Sequence, residues 1–211
     1  MAHRPEEWAG LRFLAGRLCL DFVNSIEDRA GDKPEDFIET YPDLIRWGRH
    51  RELLTAVDTG RLIVLADEDE SGAAATLEAA LRLRTALHRV FQALATNGEL
   101  EVSDLEHIQC AYAQALPHAR LLRAGDRFAW EWSEKVLRLD QVLWAIAYDA
   151  IELLTNGHIE RVRVCANPHG CGWLFYDGSK NGSRRWCSME GCGSQVKMRR
   201  QYAKRKATTA T

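Results

Sequence analysis

Four cysteines crowded into 28 residues, Cys165-x5-Cys171-x15-Cys187-x4-Cys192, constrain the chain more than any other feature. A segment of roughly 40 residues with so few large aliphatic side chains cannot bury enough surface to fold alone, so it needs a staple. Thiolates held in two tight turns on either side of a hairpin supply the tetrahedron that zinc prefers. Gaps of five and four are wider than the commonest spacing of two, yet the pattern points to one structural Zn²⁺ with four cysteine ligands. Reduced cysteines in a metal-free core are the alternative, and His169, inside the first turn, is a possible substitute ligand. Disulfides are not expected. The opening MAHRPEEWAGLRFLAG has no secretory pattern and the longest apolar runs span only a handful of residues, which predicts a cytoplasmic protein with no membrane partner in a reducing compartment. Cys19 and Cys110 stand apart and are expected as small core residues.

Around the cysteines the pattern predicts a treble-clef-like order. Trp173–Tyr176 reads as one hairpin arm, Asp177–Gly182 as the turn and Arg184–Trp186 as the return arm. A helix running through GSQVKMRRQYAKRK follows Cys192, with residues 207–211 as a disordered tail. Charge divides along the same line. Residues 161–211 hold eleven Lys/Arg against two acids, a net of +9, while the first 160 residues hold 17 against 28, a net of -11. The overall -2 is therefore a near-cancellation. Arg184 and Arg185 can offset the charge of a zinc tetrathiolate, but eleven cations exceed that need. Lys180, Arg184, Arg185, Gln195, Lys197, Arg199, Arg200, Lys204 and Arg205 are the candidate nucleic-acid contacts, with Lys197, Arg200 and Lys204 forming one helical stripe.

The acidic body reads as α+β and mainly helical. Arg12–Ser25, alternating Leu18, Leu20 and Phe22, predicts a strand or hairpin arm. Pro34 and Pro42 suit helix starts, giving one or two short helices between about 34 and 57. Arg61–Ser71 fits strand or helix equally. A long amphipathic helix is predicted from Ser71, through Leu77, Leu81, Arg84, Leu87, Phe91 and Leu94, to the stop Asn97-Gly98. Ser103 to Glu106 forms a capping-box pattern opening a helix that ends at Pro117. Two extended arms then flank Ala124–Asp126, with Trp130 and Trp132 expected in the core. The last body helix is predicted to open at Ser133 or Glu134 and to close on a left-handed Asn156-Gly157. A domain division follows near 158–162, giving 1–158 and 159–206.

At this point the residues resemble a known family. The tail CANPHGCGWLFYDGSKNGSRRWCSMEGCGSQVKMRRQYAKRK resembles the CGNR-type zinc finger, with its LF-x-D-x-S hairpin and RRWCSM run. GRLCLDFVNS and LRLRTALHRVF are similar to the ABATE domain that precedes this finger in bacterial proteins regarded as stress-response transcription regulators. The resemblance implies that Cys165, Cys171, Cys187 and Cys192 bind zinc and that the finger binds DNA. The chain departs from the family where CGNR becomes Cys192-Gly193-Ser194-Gln195, so a base or phosphate contact by the missing arginine would be lost while the metal ligand is kept.

A DNA-binding transcriptional regulator is the leading expectation, with the body as a sensing or oligomerising domain and a homodimer or small-molecule effector as further partners. A zinc-stapled protein- or RNA-interaction module is the second, with Trp173, Phe175, Tyr176 and Trp186 as possible stacking platforms. A zinc nuclease is a third, disfavoured because the hairpin has no histidine to act as general base and four thiolates would close the metal's coordination. No catalytic residues are expected. Asp21, Asn24 and Arg84 are the candidate ligand-pocket residues of the body, each with a competing structural reading as turn, cap or core-edge residue. The acidic body could also mask the basic tail intramolecularly.

Overall fold

The computed structural model describes residues 12–132 and 137–209. At the centre of the body lies α1 (Leu18–Val23), where a strand is expected; Cys19 through Val23 are all buried. A short helix covered on every side has no polar face, so neither helical nor strand periodicity marks it. Its first turn lacks a side-chain cap of its own. Asp149, on α6 (Gln141–Thr155), serves instead, accepting from the Cys19 amide at 2.9 Å and from Arg17 Nε at 2.9 Å.

A two-residue pair, β1 (Ile26–Glu27) and β2 (Glu35–Asp36), follows, so Pro34 precedes a strand and not a helix. Pro42 does sit in the first turn of α2 (Tyr41–His50), which Thr40 and Asp43 close with a capping box. A second box, Thr55 with Asp58, opens α3 (Ala56–Glu68), which resolves Arg61–Ser71 mostly as helix: Leu62 and Ala66 are buried while Val64 faces out. The long helix is α4 (Glu70–Thr96). Asp69, two residues before the expected Ser71, is its cap, and Asn97 ends it at φ +54. In α5 (Val102–Ala115) the expected capping box does not form. Helix begins one residue before Ser103, and Glu101 caps without a side-chain bond. Pro117 falls in a single 3₁₀ turn after it.

Next, β3 (Ala119–Ala124) and β4 (Arg127–Trp132) form the expected hairpin about Gly125-Asp126. Its aromatic residues are not core. Trp130 is 44% exposed, and Trp132 is half-buried with its ring centroid 5.5 Å from that of Tyr148. Ser133, Glu134 and Val136 lie outside the described residues, and Leu137–Asp140 is not helical, so α6 starts later than expected. Its stop differs as well, because Asn156 has φ -121. Gly157 is required by crowding: a Cβ there would lie 2.6 Å from the Leu153 carbonyl oxygen. Cys19 is buried as expected, whereas Cys110 is exposed.

One apolar cluster joins α1, α2, α4 and α6 through Leu20, Phe22, Trp47, Leu87, Phe91 and Ile146. It also takes in Val162 and Leu174, from β5 (Val162–Val164) and β6 (Leu174–Tyr176). These strands pair antiparallel, Val162 with Tyr176 and Val164 with Leu174. Hence the partner of Leu174–Tyr176 is the strand before the first cysteine, and the expected return arm Arg184–Trp186 is not a strand. Alternation along the strand explains the outcome. Leu174 enters the body core, while its neighbours Trp173 and Phe175 join Cys165, Cys171 and Cys187 in a second cluster. A π-helical turn, Met189–Gly193, leads into α7 (Ser194–Thr209).

Candidate metal centre and nucleic-acid interface

Local backbone chemistry brings the four sulfurs together. Cys165 follows β5, and its amide donates to the Trp173 carbonyl at 2.8 Å. The loop to Cys171 turns through Gly170 at φ +108 and Gly172 at φ +63. Gly170 also tolerates no Cβ, which would sit 2.7 Å from Gly31; its carbonyl accepts from the Ala30 amide at 2.9 Å, docking the loop on the body. Cys187 precedes the π-helical turn, whose Cys192 supplies the fourth thiol. All four sulfurs lie within 4.8 Å of one another, and Cys171–Cys187 and Cys187–Cys192 are each 3.6 Å apart. Tetrahedral zinc with Zn–S bonds of about 2.3 Å spaces its ligands about 3.8 Å apart, so the donor set fits. The thiols compete for protons: hydrogen bonds from Cys171 and then Cys187 push Cys165 down, while the bond to Cys165 pushes Cys171 and Cys187 up. Only a bound cation lets all four ionise together. The cluster is one structural Zn²⁺ site. His169 is exposed and is not among the clustered ligands.

A shell of polar groups orients the sulfurs. Buried Asn167 donates from Nδ2 to Cys192 Sγ at 3.3 Å and to Gln195 Oε1 at 3.4 Å. The Cys187 amide donates to Cys165 Sγ at 3.4 Å. Arg184 lies 4.5 Å over the Phe175 ring and donates to the carbonyls of Leu14, Trp186 and Cys187. Its guanidinium is thereby committed to holding the finger against residue 14. Buried Asp177 accepts from the Ser179 amide and hydroxyl and from the Arg184 amide; the Ser179 hydrogen bonds hold its carboxyl below the usual range. Arg161 closes the same loop by donating to the carbonyls of Asp177 and Ser179. Asn167 and Arg161 were not singled out from the sequence. A polar residue two positions after the first ligand was the available sign for Asn167.

Among the other candidates, Lys180, Arg185, Gln195, Lys197, Arg199, Arg200 and Arg205 are exposed. Arg185 lies 5.3 Å over Trp186. The side chain of Lys204 is outside the described residues. Val196 is buried and anchors the start of α7, beyond which its described side chains face outward. The aromatic residues of the finger are engaged. Trp173 is buried and donates to the Ile26 carbonyl at 2.9 Å, Phe175 is fully buried, and Tyr176 and Trp186 are half-buried.

The three body candidates do not converge on a common pocket. Asp21 accepts from the Ala15 amide at 3.0 Å and lies 3.4 Å from Arg51; burial pushes its carboxyl up to about 6. Asn24 acts as a strand partner for β6, donating to the Leu174 carbonyl at 2.7 Å and accepting from the Leu174 amide at 3.0 Å. Arg84 pairs in bidentate fashion with Asp36 at 2.7 and 2.5 Å and donates to the Ser25 hydroxyl at 2.8 Å. Each side chain has an internal partner. An Asn24→Ala chain is expected to lose about 2–4 kcal/mol of unfolding free energy in urea titrations, since both buried Leu174 backbone groups lose a partner. A change below about 0.5 kcal/mol would show that water replaces the amide.

A family model described as "Putative stress-induced transcription regulator" (ABATE) matches residues 16–157. A second, for the CGNR zinc finger, matches residues 161–205. No match is found among curated proteins. No described helix is long and apolar enough to cross a membrane.

Proposed function

The chain belongs to the ABATE family, whose model is described as "Putative stress-induced transcription regulator", and carries a CGNR zinc finger, and on that premise we propose that it is a DNA-binding regulator. In this reading residues 159–206 form the DNA-contacting unit and residues 1–158 a sensing or oligomerising one. Dimerisation, a small-molecule effector and a cytoplasmic site of action belong to the same proposal. The observation that carries it is the zinc-stapled turn feeding directly into α7, where Lys197, Arg199, Arg200 and Arg205 are exposed. Zinc supplies rigidity here by cross-linking that turn to the loop on the body. Phosphate contacts by α7, Arg185 and Lys180 would give affinity, and Gln195 at the helix start would read a base edge. Arg184 is a positioning residue in this scheme, because its guanidinium already holds three carbonyls.

Neither matched family is described as enzymatic. Stacking on unpaired bases is not favoured, because Trp173 and Phe175 are buried. Duplex DNA should therefore outcompete single-stranded RNA for the zinc-loaded protein. With about six cations on phosphates, the log–log salt slope of duplex binding should be near -5. Lys197→Glu with Arg200→Glu should weaken binding at least tenfold at constant zinc content, an order-of-magnitude expectation from the lost phosphate contacts. A flat salt response would reject the proposal.

A further inference from the structure

A cavity of about 320 Å³ opens beside the metal centre, between residues 12–14 and 27–28 of the body and the start of the finger's helix. Its wall contains three of the four ligand cysteines, Cys171, Cys187 and Cys192. Structural zinc sites are usually closed against solvent by packing. Here Cys192 is half-buried and is the most open of the four, and its sulfur stands 3.6 Å from Cys187. Cys192 receives one N–H hydrogen bond, from Asn167, while Cys165, which is not on the cavity wall, receives one from the Cys187 amide. Arg184, the nearest finger cation, directs its donors to carbonyl oxygens and not to sulfur.

We propose that this cavity is an entry site for hydrogen peroxide and that Cys192 and Cys187 are the modified pair. The Cys192 thiolate attacks one peroxide oxygen; the O–O bond breaks and the leaving hydroxide takes a solvent proton to become water. The sulfenic acid at Cys192 is then attacked by the Cys187 thiolate. A disulfide forms and the second oxygen leaves as hydroxide, again protonated to water. Two thiolates are oxidised by two electrons, one peroxide is reduced to two waters, and two protons are consumed. Only Cys165 and Cys171 would then remain to hold a zinc ion, two ligands short of the four a structural site uses. The inference rests on the zinc site and does not depend on the DNA-binding proposal.

The cavity can be plugged at Gly191. A Cβ there would meet Ser188 at 3.6 Å and Arg12 Nη1 at 3.9 Å, both ordinary contacts, and both residues line the cavity. Gly191→Leu should therefore fill the entry without displacing backbone. The experiment uses full-length zinc-loaded protein in a Cys110→Ala background, which removes the exposed thiol outside the centre. Hydrogen peroxide is added, zinc release is followed with a chromophoric chelator, and disulfides are mapped by mass spectrometry after alkylation. The expected result is about one zinc released per chain with a Cys187–Cys192 disulfide, and release roughly tenfold slower in Gly191→Leu. Unchanged release from a zinc-replete Gly191→Leu protein would overturn the proposal. If that variant does not load zinc, the mapping on the unplugged protein decides: a first disulfide that includes Cys165, or zinc release with all four thiols still alkylatable, also overturns it.

Discussion

Replacement of Cys187 by serine is expected to reduce bound zinc from about one ion per chain to a small fraction, and with it to release the finger downstream of β6. Zinc contributes about 10–16 kcal/mol in small finger peptides near neutral pH, far more than the second cluster, whose main apolar members are Trp173 and Phe175, can supply. Cys187 is also the sulfur with a neighbour at 3.6 Å on both sides, so its loss splits the set. The effect should stop at a definite place. Val162 and Leu174 sit in the body core and Asn24 bonds Leu174 on both sides, so β5 and β6 should stay ordered. Hydrogen exchange should show lost protection at Ala166 and Gly193, whose amides bond to Arg185 and Ser188, with α4 and α6 unchanged. Retention of a full zinc equivalent would mean that another side chain completes the set. If DNA retention disappears together with the zinc, the regulator proposal gains direct support; zinc loss without any change in DNA retention would count against the finger as the contacting unit.

The second large effect is expected at Arg84. Its side chain is 6% exposed and its partner Asp36 is 31% exposed. Arg84→Met leaves a carboxylate without its bidentate partner and the Ser25 hydroxyl without a donor. Removing one member of a buried pair costs about 3–5 kcal/mol; partial solvation of Asp36 places the cost near the lower end. For a chain of this size that is a fall in Tm of very roughly 6–12 °C, measurable by calorimetry. Arg29 makes the local balance unusual. Burial and the nearby Arg84 charge lower its pKa to about 10, so loss of Arg84 relieves one repulsion and trims the effect. Adding Asp36→Leu should recover most of the lost stability, because an apolar pair of similar volume avoids the stranded carboxylate. A shift under about 1 kcal/mol in Arg84→Met would return this arginine to consideration as an effector contact.

What could be read from the sequence divides along physical lines. Zinc-ligand chemistry was legible because four cysteines in so short a span have few other uses. The helix α4 was legible because one apolar stripe repeats over 27 residues and Asn97 supplies a left-handed stop. The short α1 was not, since burial on all sides erases the period. Strand existence at Trp173–Tyr176 was legible, but not its partner, which depends on Asn24 and a body core about 150 residues away in sequence. RFAWEW announced a two-faced strand correctly, yet alternation does not say whether anything covers either face, and the hairpin stands largely in solvent. Arg84 was visible as an arginine within an apolar row; its partner, 48 residues earlier, was not. For the cations of α7 the chemistry was readable and the geometry leaves most of them exposed, whereas Arg184 shows that charge alone does not separate a phosphate contact from an internal brace.

The alternation of Trp173, Leu174 and Phe175 between two cores means that this finger is not a portable cassette. Cut out at residue 161 and fused to another protein, it would carry Val162 and Leu174 as a bare apolar face and would lose the Asn24 bridge. A single-residue insertion or deletion between Cys171 and Leu174 would exchange the faces, sending an aromatic side chain into the body and an aliphatic one to the metal. The count across those few residues is locked to the body on which the finger rests.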